Sequence, residues 1–113
     1  MTKVLIVEDS VDALKSLEFI LSCQKYEVFI AMNGKDALDI IKRENVDCAL
    51  VDLFLPDYNG WELIDKIEEQ KLKTKVIVIS GYSDIEPPSQ HKTVPILKKP
   101  YDIKDVLALI ESQ

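Results

Sequence analysis

The chain has 113 residues, 47% of them apolar and 30% charged, with 20 acidic against 14 basic residues for a net charge of −6. This is ordinary globular composition for one domain over residues 1–113, long enough to bury a core and without a disordered tract. The acidic balance argues against direct nucleic-acid binding and against an anionic membrane surface, and no apolar run approaches the roughly 20 residues of a spanning helix.

The first apolar run, KVLIV over residues 3–7, is continuous and β-branched, which predicts a strand buried on both faces. It is too short for a secretion signal and is followed at once by acids. Val11, Leu14, Leu17, Ile20 and Leu21 recur at helical spacing, with Asp9 or Ser10 as cap. EVFIA (27–31) predicts a second strand, Asn33-Gly34 a turn, and Ala37, Leu38, Ile40 and Ile41 a second helix. DCALVD (47–52) reads as a third buried strand. Pro56, Asn59 and Gly60 mark a loop, and Leu63, Ile64 and Ile67 a third helix. KVIVI (75–79) is the fourth strand and residues 93–97 a weaker fifth. Asp102 caps a last helix that turns Ile103, Val106, Leu107 and Ile110 inward. Cys23 and Cys48 sit among apolar residues and read as reduced core cysteines of a cytoplasmic protein.

Strands alternating with helices predict an α/β, flavodoxin-like five-stranded parallel sheet, order 2-1-3-4-5, with helices on both faces. The fourth helix is expected to be short or irregular. Only residues 81–93 are available for its crossover, which needs about a dozen. Ser83 and Glu86 have capping-box spacing, but Pro87-Pro88 stops a helix begun there.

In this topology a ligand crevice opens beyond the carboxyl ends of the first and third strands. The residues arriving there are Glu8 and Asp9, Asp52, Ser80, and Lys98-Lys99-Pro100. Three close carboxylates repel one another, and a hard divalent cation is the usual remedy. Magnesium takes a few carboxylates, a main-chain carbonyl and waters, which Glu8, Asp9, Asp52 and the loop after Asp52 can supply. A carboxylate beside such a cation, a lysine and a small hydroxyl can accept a phosphoryl group. Taken singly, these residues have plainer roles as caps, turn residues and a solvated lysine pair. Those roles do not explain why all of them gather at one end of one sheet. A flavin or nucleotide binder is disfavoured, because the first loop reads EDSVD and repels phosphate. A metal-dependent hydrolase lacks a placed histidine or further carboxylate. His91 falls in a polar stretch with no second ligand nearby in sequence and reads as inert.

The motifs VLIVEDS, VDLFLPDYNG, VIVISGYSD and LKKPY, in this order, make the chain resemble response-regulator receiver domains over essentially its whole length. The resemblance implies two-component or phosphorelay signalling, with Asp52 as phosphoacceptor. Glu8 and Asp9, with Asp52 and the Phe54 backbone carbonyl, would hold Mg2+. Ser80 and Lys99 would contact the phosphoryl group, and Lys99-Pro100 is expected to be cis. The donor would be a histidine kinase or a histidine phosphotransfer domain, docking on the first helix where Val11 or Leu14 is exposed. The chain would turn over no external substrate and catalyse only its own phosphorylation and dephosphorylation. Phe54 and Tyr82 would shield the phosphoryl group from water. Ile96 stands where the family often has an aromatic switch residue, and Leu55 replaces a commoner methionine. With Ile96 and the short crossover, a monomer is expected even when phosphorylated. The alternative is a non-phosphorylated pseudo-receiver serving as a protein-interaction module.

Overall fold

The computed structural model describes residues 1–81 and 86–112. The apolar runs form the strands β1 (Lys3–Val7), β2 (Glu27–Ala31), β3 (Cys48–Asp52), β4 (Lys75–Ser80) and β5 (Ile96–Lys98). The helices α1 (Val11–Cys23), α2 (Gly34–Glu44), α3 (Gly60–Glu69) and α4 (Ile103–Glu111) connect or follow them. All neighbouring strands are parallel, in the order β2-β1-β3-β4-β5.

Side chains alternate across a strand, so each central strand feeds two cores. Leu5, Val7, Ala49, Val51, Val76 and Val78 face α2 and α3, where they meet Ala37, Leu38, Ile41, Leu63, Ile64 and Ile67. Val4, Ile6, Leu50, Ile77 and Ile79 point the other way, onto Leu14, Leu17 and Leu21 of α1 and Val106 and Ile110 of α4. Burial on both faces is why β1, β3 and β4 are unbroken apolar runs.

Local signals set the helix ends. Ser10, rather than Asp9, caps α1. Asn33 caps α2, and Gly34 opens that helix instead of merely turning the chain. Asn59 and Glu62 form a reciprocal capping box on α3, and Asp102 caps α4.

The fifth strand runs over Ile96–Lys98, later than the 93–97 span the sequence suggests. Pro95 has no N–H to donate, and it enters the ladder only through its carbonyl, which accepts from Val78 N at 2.9 Å. Val94 N bonds back to His91 O at 3.1 Å, in the preceding turn. Among the described residues, the only helical piece between β4 and β5 is a 3-10 turn at Ser89–His91, begun by Pro88. That agrees with a short or irregular fourth helix, although Ser83 of the proposed capping box lies outside the described residues.

Of the two positions expected to hold an exposed apolar side chain on α1, Val11 is 48% exposed and Leu14 is buried, so α1 packs through Leu14, Leu17 and Leu21. Two readings need correction. Cys23, at the end of α1, is exposed, and only Cys48 is a core cysteine. His91, expected in a polar loop stretch, is 1% exposed.

Candidate functional site

The sheet order delivers four chain segments to one end. β1 delivers Glu8, whose N–H bonds Ala31 O of β2 at 3.0 Å. The chain then turns sharply, with Ser10 N donating to Glu8 Oε1 at 3.1 Å. This holds Glu8, 6% exposed, inward, while Asp9 stays exposed. β3 delivers Asp52, with Phe54 N donating to its Oδ1 at 3.1 Å. β4 ends on Ser80, 1% exposed, paired with Lys98 of β5. Lys99 N then donates to Ser80 O at 2.7 Å, so Lys99 leaves the sheet beside Ser80.

From there the lysine side chain spans the crevice. Its Nζ is 3.2 Å from Glu8 Oε2 and 3.2 Å from Asp52 Oδ2. Oxygens of Glu8, Asp9 and Asp52 all lie within 4.8 Å of one another. Burial pushes the Glu8 carboxyl above the usual carboxylate range, and the neighbouring Asp52 adds to this against the Ser10 N–H and Lys99. Burial pulls the Lys99 ammonium down, but Glu8 and Asp52 outweigh it and leave the group above its ordinary value. The site therefore holds a fixed cation among acids that one lysine does not neutralise.

The loop after Asp52 is fastened at both ends. Gly60 N donates to Leu53 O at 2.6 Å, and Leu55 N to Tyr58 O at 3.1 Å. A Cβ on Gly60 would stand 3.3 Å from Leu53 Cα, so the absence of a side chain lets α3 start against the end of β3. Phe54 is 53% exposed on this loop. Tyr82, expected to flank the approach with Phe54, lies outside the described residues. The Lys99–Pro100 peptide is cis, as the motif suggests. Ile96, at the aromatic-switch position, is half-buried against the α2–α3 core.

One supporting residue was not singled out from sequence. Asp57 accepts from Gly34 N at 2.8 Å and Lys35 N at 3.0 Å, and so ties the loop after β3 to the start of α2. Burial pushes its carboxyl up, but backbone N–H groups of Gly34, Lys35, Asp57 and Tyr58 outweigh that and hold it below the ordinary value. An aspartate just after Pro56 was the available signal, but its partners come from another helix.

The family model described as "Response regulator receiver domain" matches residues 4–111. The response regulator ArlR of Staphylococcus aureus is 34% identical over 115 residues, covering 99% of this chain and 52% of that protein. The chain thus spans about half the length of the curated relatives it matches. Among solved structures, a CheY-like receiver domain from Methanospirillum hungatei superposes with a TM-score of 0.87 at 32% identity, covering 98% of this chain and 91% of that one. TrrA of Thermotoga maritima, solved in complex with Mg2+ and BeF, shares the fold, with a TM-score of 0.84 at 24% identity over 97% of this chain and 99% of that one. The motif order, the sheet order and the match over residues 4–111 agree, and the chain belongs to the response regulator receiver domain family.

Proposed function

We propose that residues 1–113 form one receiver domain whose Asp52 accepts a phosphoryl group from a histidine kinase or a histidine phosphotransfer domain. The observation that carries this reading is Lys99 Nζ, 3.2 Å from both Glu8 and Asp52 at the mouth of the crevice. The donor set fits magnesium, because it consists of carboxylate oxygens close enough to share one ion. Glu8, Asp9, Asp52 and the Phe54 carbonyl would hold it. When bound, magnesium offsets the clustered negative charge and that of a phosphoryl oxygen.

An Asp52 carboxylate oxygen attacks phosphorus. The bond from phosphorus to the donor's imidazole nitrogen breaks, its electron pair stays on that nitrogen, and solvent protonates the leaving imidazole as required. Lys99, released from its bond to Asp52, follows the charge onto a phosphoryl oxygen, and Ser80 takes another. In dephosphorylation water attacks the same phosphorus and the Asp52 carboxylate leaves, so the chain changes no external substrate. Exposed Val11 on α1, beside the site, is the candidate contact for the donor protein. No helix among the described residues is long and apolar enough to cross a membrane.

Incubation with Mg2+ and acetyl phosphate, followed by intact mass, tests the proposal. The wild type should gain one phosphoryl group. Asp52→Ala should gain none, and Asp9→Ala or excess chelator should abolish the gain. An unmodified wild type would leave the interaction-module alternative in its place.

A further inference from the structure

Beside α3 a second cluster forms around His91. Trp61, Asp65 and Glu68 follow one another at helical spacing along one face of α3. His91 closes the 3-10 turn after β4, held by His91 N to Pro88 O at 2.8 Å and Val94 N to His91 O at 3.1 Å. Its ring is 1% exposed and lies nearly parallel to Trp61, with 6.2 Å between centroids and 11° between planes. His91 Nε2 is 2.6 Å from Asp65 Oδ1. An ionised carboxylate can only accept, so Nε2 carries the proton and a neutral ring keeps its lone pair on Nδ1. Nδ1 has no hydrogen-bond partner among the described residues and faces Glu68 Oε2 at 3.8 Å. A lone pair and a carboxylate oxygen aimed at each other attract only through a cation placed between them.

We propose that His91 Nδ1 and the Glu68 carboxylate bind a divalent ion of the zinc and nickel class, with Asp65 as the positioning residue. A carboxylate that fixes the far ring nitrogen is the arrangement that orients a metal-binding histidine and raises its basicity. Imidazole favours these ions over magnesium, which separates this site chemically from the all-oxygen cluster of Glu8, Asp9 and Asp52. A tetrahedral ion with bonds of about 2.0 Å holds its ligands about 3.3 Å apart. The Glu68 side chain, 63% exposed, needs to close from 3.8 Å by about half an ångström, and waters complete the shell. The bound ion clips the segment that follows β4 onto α3. A proton between the same two atoms is the competing occupant.

Trp61, the only tryptophan in the sequence, reports on the site, because Ni2+ quenches nearby indole fluorescence. The probe is Ni2+ added to the full chain in excess Mg2+, in a Cys23→Ser background that removes the exposed thiol. Quenching should saturate in the micromolar range, reverse with EDTA and be competed by Zn2+. Glu68→Gln, at an exposed position, should weaken Ni2+ binding at least tenfold, and His91→Asn should abolish it. Asp65→Asn, whose amide oxygen can still accept from Nε2–H, should weaken it about tenfold while saturable, EDTA-reversible quenching remains. If His91→Asn fails to fold, Glu68→Gln still decides the matter. Absence of saturable quenching, as expected if only a proton bridges the pair, would overturn the proposal. Equal affinity in Glu68→Gln would overturn it as well.

Discussion

Lys99 Nζ is 3.2 Å from Asp52 Oδ2, although 47 residues separate the two in the chain. Their strands are not neighbours, because β4 lies between β3 and β5. The lysine reaches past Ser80, beside which its own N–H is anchored, and its long stem closes the gap. The contact holds a cation where negative charge is already concentrated and where a phosphoryl group would add more.

The first prediction follows from that charge balance. Glu8, Asp9 and Asp52 face one lysine, so removing one carboxylate relieves more repulsion than it loses attraction. Asp52→Asn should therefore melt higher than the wild type in chelator, by about 1 kcal/mol. Mg2+ at ten times its Kd should stabilise the wild type by about 1.4 kcal/mol and the variant by much less. Thermal denaturation with and without Mg2+ measures both. A variant that melts lower in chelator would show that the Lys99 pair outweighs the repulsion.

Asp57 gives a pH prediction. Backbone N–H groups from Gly34, Lys35, Asp57 and Tyr58 hold its carboxyl below the ordinary value in the folded chain. A depressed folded pKa contributes stability that is present above the unfolded value, about 3.9. That stability is lost as pH falls through the lower folded value. Asp57→Ala should cost about 1 kcal/mol near neutrality, as loss of a helix cap does. The difference from wild type should shrink below about pH 4. Urea denaturation at pH 7 and pH 3 checks the sign, and a gap that widens in acid would refute the assignment.

The start of α1 separates recognition from folding. Val11 is 48% exposed and Leu14 is 3% exposed. Val11→Asp should keep the fold and phosphorylation by acetyl phosphate while slowing transfer from a histidine kinase at least tenfold. Leu14→Asp should unfold the domain, because it places a charge in the core beside Leu17 and Leu21. Equal transfer rates for wild type and Val11→Asp would place the docking contact elsewhere.

Much of this architecture was legible in the sequence, for identifiable reasons. β1, β3 and β4 are buried on both faces, so they read as continuous apolar runs. Glu8, Asp9, Asp52, Ser80 and Lys99 stand directly at strand ends, where topology alone brings them together. β5 was misplaced because Thr93 and Val94 look β-forming, whereas Pro95 keeps the ladder from starting before its own carbonyl. His91 was misread because its polar sequence neighbours say nothing of Asp65, 26 residues earlier on α3. Cys23 looked buried beside Leu21, but it occupies the solvent side at the last turn of α1.

The β5–α4 edge gives a prediction about assembly. Ile96 packs against the core and offers no ring to rotate, and the described residues before it hold one 3-10 turn. Mg2+ with BeF should leave the mass in light scattering at that of a monomer. A shift of the wild type to a dimer would contradict the inference that this face is uncoupled from Ser80.

The central claim is that Asp52 carries the phosphoryl group. An acyl phosphate is reduced by borohydride to an alcohol, whereas a phosphate on serine or histidine is not. The protein, treated with acetyl phosphate and Mg2+ and then with borohydride, should yield homoserine at position 52 in peptide sequencing by mass spectrometry. Homoserine at another aspartate, or an unreduced position 52 in a chain that has gained a phosphoryl group, would contradict the account.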